Sequence, residues 1–171
     1  PRETKSAELR VGLTPASVGE LTRAGHSVFV ETGAGLGISA RDDAYVAAGA
    51  QILPTPEAVF EESGLIVKVK EPQAGERTRL RADHTLFTYL HLAPDAEQTK
   101  DLVASGATCI AYETVTDDIG GLPLLAPMSQ VAGRMSIQAG ASSLESAKGG
   151  SGLLLGGVPG VAPAKVVVLG G

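Results

Sequence analysis

At 171 residues the chain is long enough to bury a core and short enough to make one domain or little more. Hydrophobic residues at 43% against 19% charged argue against a disordered chain, and a net charge of −5 with scattered lysines and arginines argues against a nucleic-acid partner. No apolar run approaches the ~20 residues of a membrane span and no signal-peptide pattern opens the chain; the single cysteine, Cys109, reads as a small buried hydrophobe in a reducing cytoplasm.

Helix-like and strand-like patterns alternate from residue 14 onward. Thr14-Pro15 is a helix start, with a capping hydroxyl followed by a proline whose missing N–H costs nothing there, and Gly25 is its stop. "SVFVE" at 27–31 reads as a strand, and the "ETGAGLG" that follows as a strand-to-helix turn. Its glycine spacing is not the full G-x-G-x-x-G of a phosphate loop, since Ile38 stands three residues after Gly35. A helix from about Asp42 to Gly49 leads into the short strand "AQIL", and Thr55-Pro56 opens another helix to about Ser63. "LIVKVKEP" is a strand closed by Pro72, and "TLFTYLHL" at 85–92 is the next. "PDAEQTKDLVASG" is a helix stopped by Gly106, and "ATCIAYETV" at 107–115 a further strand. An amphipathic helix is expected from about Met128 to Leu144, then a Gly-rich connector, then a closing strand over 165–169. Strands alternating with helices imply an α/β fold with a mostly parallel, layered sheet. Nearly continuous apolar strands imply that both faces are covered.

In an open parallel sheet, ligands bind outside the carboxyl ends of the strands. Three of the expected strands end in Lys68-Val69-Lys70-Glu71, in His91 and in Tyr112-Glu113. If they share a sheet, a cation, an imidazole and a carboxylate meet at one rim. Lys68 and Lys70, two apart, fall on one face of their strand, where the pattern divides Lys70 between an edge guard and a ligand group. His91 is read either as a satisfied core histidine or as an acid–base group, and Glu113 as a structural partner. His26 and His84, one after a helix stop and one in the charged turn "RADH", read as surface residues. Arg10 in "ELRVGLTP" is plain solvated charge or a two-point clamp for a carboxylate.

Several segments resemble the alanine dehydrogenase family in the same order and at similar spacings. They are "RETKSAELRVGLTP", "GHSVFVETGAGLG", "VKVKEP", "LFTYLHLA", "IAYETV", "LPLLAPMSQVAGR" and "GGVPGVAPAKVVVLGG". The NAD-binding subunit of proton-translocating transhydrogenase is a relative with the same fold and "PAKV" strand, but "YLHLA" and "YETV" follow the alanine dehydrogenase pattern. The resemblance implies a Rossmann-like parallel-sheet substrate domain over residues 1–127. Residues 128–171 would be a crossing helix, the connector and the first strand of a dinucleotide-binding domain. It implies a fragment of a longer enzyme, inactive alone, with an opening strand before Pro1 and the rest of the NAD domain after Gly171.

By position, Arg10 would hold the substrate carboxylate, Lys70 would contact carboxylate and carbonyl and take part in catalysis, and His91 would be the acid–base residue. Met128 would lie beside the substrate, and Ser129, Gly170 and Gly171 beside the NAD cofactor; no metal site is implied. The reaction implied is reversible oxidative deamination of L-alanine to pyruvate and ammonia in a cytoplasmic homohexamer, without nucleic-acid or membrane partners. Gln130 departs from the acidic residue usual after "PMS", and Ser151 stands where an arginine is expected. The catalytic aspartate of such enzymes would lie beyond Gly171. Two alternatives remain: a transhydrogenase α-subunit domain, and a keto-acid binding module without chemistry.

Overall fold

The computed structural model describes residues 1–169. Contacts divide the chain into two units, residues 1–114 and 115–171. The five strands found among the described residues all lie in the first unit. Helix α1 (Pro15–Arg23) opens where expected, with the Thr14 hydroxyl accepting from Ser17 N–H at 3.3 Å, and ends before Gly25 at φ +90°. Strand β1 (Phe29–Glu31) follows, then α2 (Asp42–Ala47), β2 (Gln51–Leu53) and α3 (Pro56–Glu62), the last capped by Thr55. After β3 (Leu65–Val67) comes α4 (Ala74–Arg77), a single turn that the sequence reading did not include and that a capping box of Gln73 and Glu76 opens. Strand β4 (Thr85–Thr88), helix α5 (Ala96–Ser105) and strand β5 (Thr108–Ala111) complete the unit. The Asp95 carboxylate caps α5, and Gly106 at φ +70° ends it in the left-handed conformation that glycine adopts without a Cβ clash.

The pairing is parallel throughout, as the alternation of elements requires, but it forms two sheets. β1 pairs with β2, and β3, β4 and β5 lie side by side in that order, with Leu86 of β4 facing Ile66 and Cys109. Each sheet has its own core. Val18, Val28, Val30 and Tyr45 pack in one, and Phe60, Ile66, Leu86, Leu90 and Leu102 in the other. A cavity of about 240 Å³ lies between β1 and β3, lined by Val28, Phe29, Val30, Leu65, Ile66 and Val67.

Strands are shorter than the apolar runs that announced them. The regular ladder ends at Val67 and at Thr88, although Lys68 N–H still donates to Phe87 C=O at 3.1 Å and Tyr89 N–H to Val69 C=O at 3.4 Å, and the chain becomes irregular over Lys70–Glu71 and Leu90–Leu92. His84 is a correction: it is 1% exposed rather than at the surface, its ring 6.1 Å from Phe60 and its Nδ1 accepting from Arg81 N–H. The charged neighbours Arg81 and Asp83 pair with each other in solvent and leave the imidazole to the core. Cys109 is half-buried against the second core, where burial raises its thiol pKa.

The second unit contains α6 (Ala126–Ser143), which begins with Pro127 in its first turn and buries no residue. The closing strand expected over 165–169 does not form. Val166, Val167 and Leu169 are exposed, and among the described residues of this unit the pairing is one antiparallel bridge, Val158 with Val161. A strand needs a neighbour to satisfy its N–H and C=O groups, and local β-branched composition does not supply one. No described helix is long and apolar enough to cross a membrane.

Candidate functional site

Because β3, β4 and β5 run parallel and adjacent, their carboxyl ends share one rim. The segment after β3 carries Lys70, the segment after β4 carries Tyr89 and His91, and Tyr112-Glu113 begin a 3-10 turn directly after β5. Aromatic rings join them. Tyr89 stacks on His91 with centroids 5.8 Å apart and planes at 27°, while Lys70 Nζ stands 5.1 Å over the same ring. Tyr112 meets Tyr89 edge-on at 6.0 Å and donates from its phenol to Val69 C=O at 2.5 Å. Burial pushes that phenol up to about 12.

Arg10 reaches this neighbourhood along the loop before α1. A Cβ on Gly12 would lie 2.7 Å from Val67 C=O, so the loop crosses the end of β3 in a contact closer than any side chain permits. Charge marks the proximity as well: Arg10 acts on the Tyr112 phenol, and Lys70 on the Glu8 carboxylate. Arg10 Nε donates to Glu8 Oε1 at 2.8 Å and Nη2 to Glu8 Oε2 at 2.6 Å, the two-point geometry in which a guanidinium grips a carboxylate. That hydrogen-bonded pairing raises the pKa of Arg10 and lowers that of Glu8 to about 2. Arg10 therefore holds a carboxylate in this structure, that of its neighbour Glu8.

Lys68 and Lys70 part company. Lys68 is 2% exposed, and its ammonium lies 3.1 Å from Glu3 Oε2 and 2.8 Å from Glu76 Oε1. Glu3 also accepts from the backbone N–H of Val69 at 2.7 Å and of Lys70 at 3.2 Å. The buried lysine is therefore a structural ion, and its carboxylate partner fixes the backbone from which Lys70 projects. Lys70 is half-buried, just past the end of the edge strand β3, with its ammonium over the Tyr89 ring. His91 is exposed, with φ +47°, and is no core histidine.

Met128 and Ser129 stand in the first turn of α6, in the second unit. Gly170 and Gly171 lie outside the described residues. The glycines of "ETGAGLG" are not a phosphate cradle. A Cβ on Gly35 would meet Ala40 C=O at 2.6 Å, and one on Gly37 would meet Leu9 C=O at 2.1 Å, so both exist to let chain pass chain. Gly157 is likewise closed against Val161 C=O at 2.5 Å. At these turns the backbone leaves no room for a pyrophosphate. Among the described residues no cluster of His, Cys, Asp or Glu has the makings of a metal site.

The sequence reading missed Tyr89, Glu3 and Glu8. Tyr89 was legible, since it stands two residues before His91. The Glu3 contact, across 65 residues, left no local signal.

The family model "Alanine dehydrogenase/PNT, N-terminal domain" matches residues 1–132, and its C-terminal counterpart matches residues 136–171. An alanine dehydrogenase of Halomonas elongata is 58% identical over 171 residues, all of this chain and 46% of that protein. A solved L-alanine dehydrogenase superposes with a TM-score of 0.86 at 52% identity, covering 95% of this chain and 45% of the other. A transhydrogenase from Sinorhizobium meliloti superposes with a TM-score of 0.61 at 30% identity over 66% of this chain and 33% of its own. The chain spans about half the length of the curated relatives it matches.

Proposed function

The chain belongs to the alanine dehydrogenase/PNT family, and from that premise we propose that it is part of an NAD-dependent L-alanine dehydrogenase. Residues 1–127 would be its substrate domain, and residues 128–171 the crossing helix and the start of its cofactor domain. The observation that carries the reading is the Lys70–Tyr89–His91 array at the rim, in a chain 58% identical throughout to an alanine dehydrogenase.

In this reading Arg10 exchanges Glu8 for the carboxylate of pyruvate or alanine and so fixes the substrate's orientation, an entropic gain. Lys70 places its ammonium against the carbonyl oxygen, where negative charge develops as water leaves or adds. His91 moves a proton between that oxygen and solvent near neutral pH, the range of an imidazole. What the nicotinamide dinucleotide supplies is a hydride acceptor for the substrate Cα. The balance is L-alanine, water and oxidised cofactor to pyruvate, ammonium, reduced cofactor and one proton. By the family resemblance, Met128 would serve the substrate and Ser129 the cofactor, together with Gly170 and Gly171 outside the described residues, and the enzyme would work in the cytoplasm as a homohexamer.

The test is the protein of the complete reading frame, followed by NADH absorbance with pyruvate and with ammonium added second. Decay that begins only with ammonium is the expected result. Hydride exchange between two nicotinamide cofactors in place of amination would overturn it. His91→Ala is expected to lower turnover by at least ~100-fold, the lower range for lost acid–base catalysis.

A further inference from the structure

His91 stands in a conformation that its own side chain disfavours. At φ +47° it lies in the left-handed region, where an L-residue brings Cβ against its carbonyl and where a histidine persists only if its surroundings hold it. The surroundings do so from two sides. Glu113 Oε1 accepts from the backbone N–H of His91 at 2.9 Å and of Leu90 at 3.1 Å, and Oε2 is 3.3 Å from the latter. Gln98, fully buried in α5, donates from Nε2 to Leu90 C=O at 2.6 Å. Gln98 is itself fixed, because its own N–H is held by the Asp95 cap and Leu102 on the same helix lies in the core. Leu90 is 2% exposed and anchors the corner from beneath.

We propose that Glu113, with Gln98, is a positioning residue for His91: the two side chains hold the Leu90–His91 corner that sets where the imidazole stands over Tyr89. The inference rests on the reading of His91 as the acid–base group. A carboxylate suits the task because one oxygen takes two converging N–H groups, and a charged acceptor makes both bonds stronger. Glu113 acts here through main-chain atoms, so its removal releases the corner and the imidazole leaves the position from which a proton can pass.

The test compares Glu113→Ala, Glu113→Gln and His91→Ala in the enzyme of the complete reading frame, reading kcat and the KM for pyruvate in reductive amination. Glu113→Ala is expected to lower kcat by about 10- to 100-fold with KM for pyruvate within about twofold, the signature of lost alignment rather than lost binding. Glu113→Gln keeps a carbonyl acceptor and is expected to recover most of the turnover. A role confined to folding would instead lower the yield of folded enzyme and leave kcat per folded molecule unchanged. If His91→Ala leaves turnover intact, the acid–base reading falls, and the inference with it. If His91→Ala abolishes turnover while Glu113→Ala matches the parent, the inference alone is overturned. A second measurement guards against misfolding of the alanine variant. In the labelled protein, the His91 and Leu90 amide protons are expected downfield and to move upfield together in Glu113→Gln, where a neutral carbonyl replaces the charged acceptor; amides that ignore that substitution overturn the proposal.

Discussion

Replacing Glu3 with alanine tests how the amino-terminal segment governs the rim. The change removes one of two carboxylates from a lysine whose side chain is 0% exposed, and strips the acceptor from two backbone N–H groups, those of Val69 and Lys70. Breaking a buried ion pair by removing one partner costs about 3–5 kcal/mol. Glu76, 2.8 Å from the same ammonium, keeps the loss toward the lower end. Each stranded N–H costs about 1–3 kcal/mol if water stays out, and less as it enters. The terms overlap, and about 4 kcal/mol is the working figure. For a unit of this size that lowers Tm by roughly 15 °C. The assay is thermal unfolding by circular dichroism, beside Glu3→Gln, which keeps an acceptor and discards the charge. The expected order is parent, then Gln, then Ala. A fall of less than about 5 °C for Glu3→Ala would refute the view of Lys68 as a buried ion dependent on this partner.

Three further outcomes follow from the geometry. Gly37→Ala drives a Cβ to 2.1 Å from Leu9 C=O, so it is expected to cost about 1–3 kcal/mol in thermal unfolding. Displacing the residue next to Arg10, it also raises the KM for pyruvate; an unchanged Tm would contradict the packing. The Arg10 hydrogen bonds hold the Glu8 carboxyl at about 2 against its usual 4.5, so the pair stabilises the fold above 4.5 and that contribution is lost as pH falls through about 2. The stability gap between the parent and Glu8→Gln should therefore narrow on acidification over that window, and a constant gap would count against it. Burial holds the Tyr112 phenol neutral up to about 12 from the usual 10, so its contribution is present below 10 and disappears as pH rises toward 12. Ultraviolet titration of Tyr112→Phe should lack the latest phenolate step; if that step survives, another tyrosine is responsible.

Much of the fold was legible because helix ends carry their own chemistry. Thr14-Pro15, Thr55-Pro56, Gly25, Gly49 and Gly106 mark boundaries through capping hydroxyls, a pre-set φ and tolerance of the left-handed conformation, all of which are local. The rim was legible too, since parallel neighbours must end on one side. Strand ends were not, because a β-branched run continues where no neighbour pairs with it, as over 165–169. His84 was misplaced because its neighbours in sequence are charged while its neighbours in space are Phe60 and the core. Lys68 and Lys70 look alike in sequence, and contacts made in the fold tell them apart: Glu3, 65 residues away, and Glu76 hold Lys68, while Tyr89 lies under Lys70.

The segment carrying Arg10 is held at two points, and both are glycines. A Cβ on Gly12 would lie 2.7 Å from Val67 C=O and one on Gly37 2.1 Å from Leu9 C=O, so this stretch is laid both on the end of β3 and on the turn after β1. Helix α3 joins the same two sheets, because it packs on β1 while its Phe60 lies in the core of β3–β5. The guanidinium therefore moves with both sheets, and a carboxylate bound to it slows the hydrogen exchange of the two together.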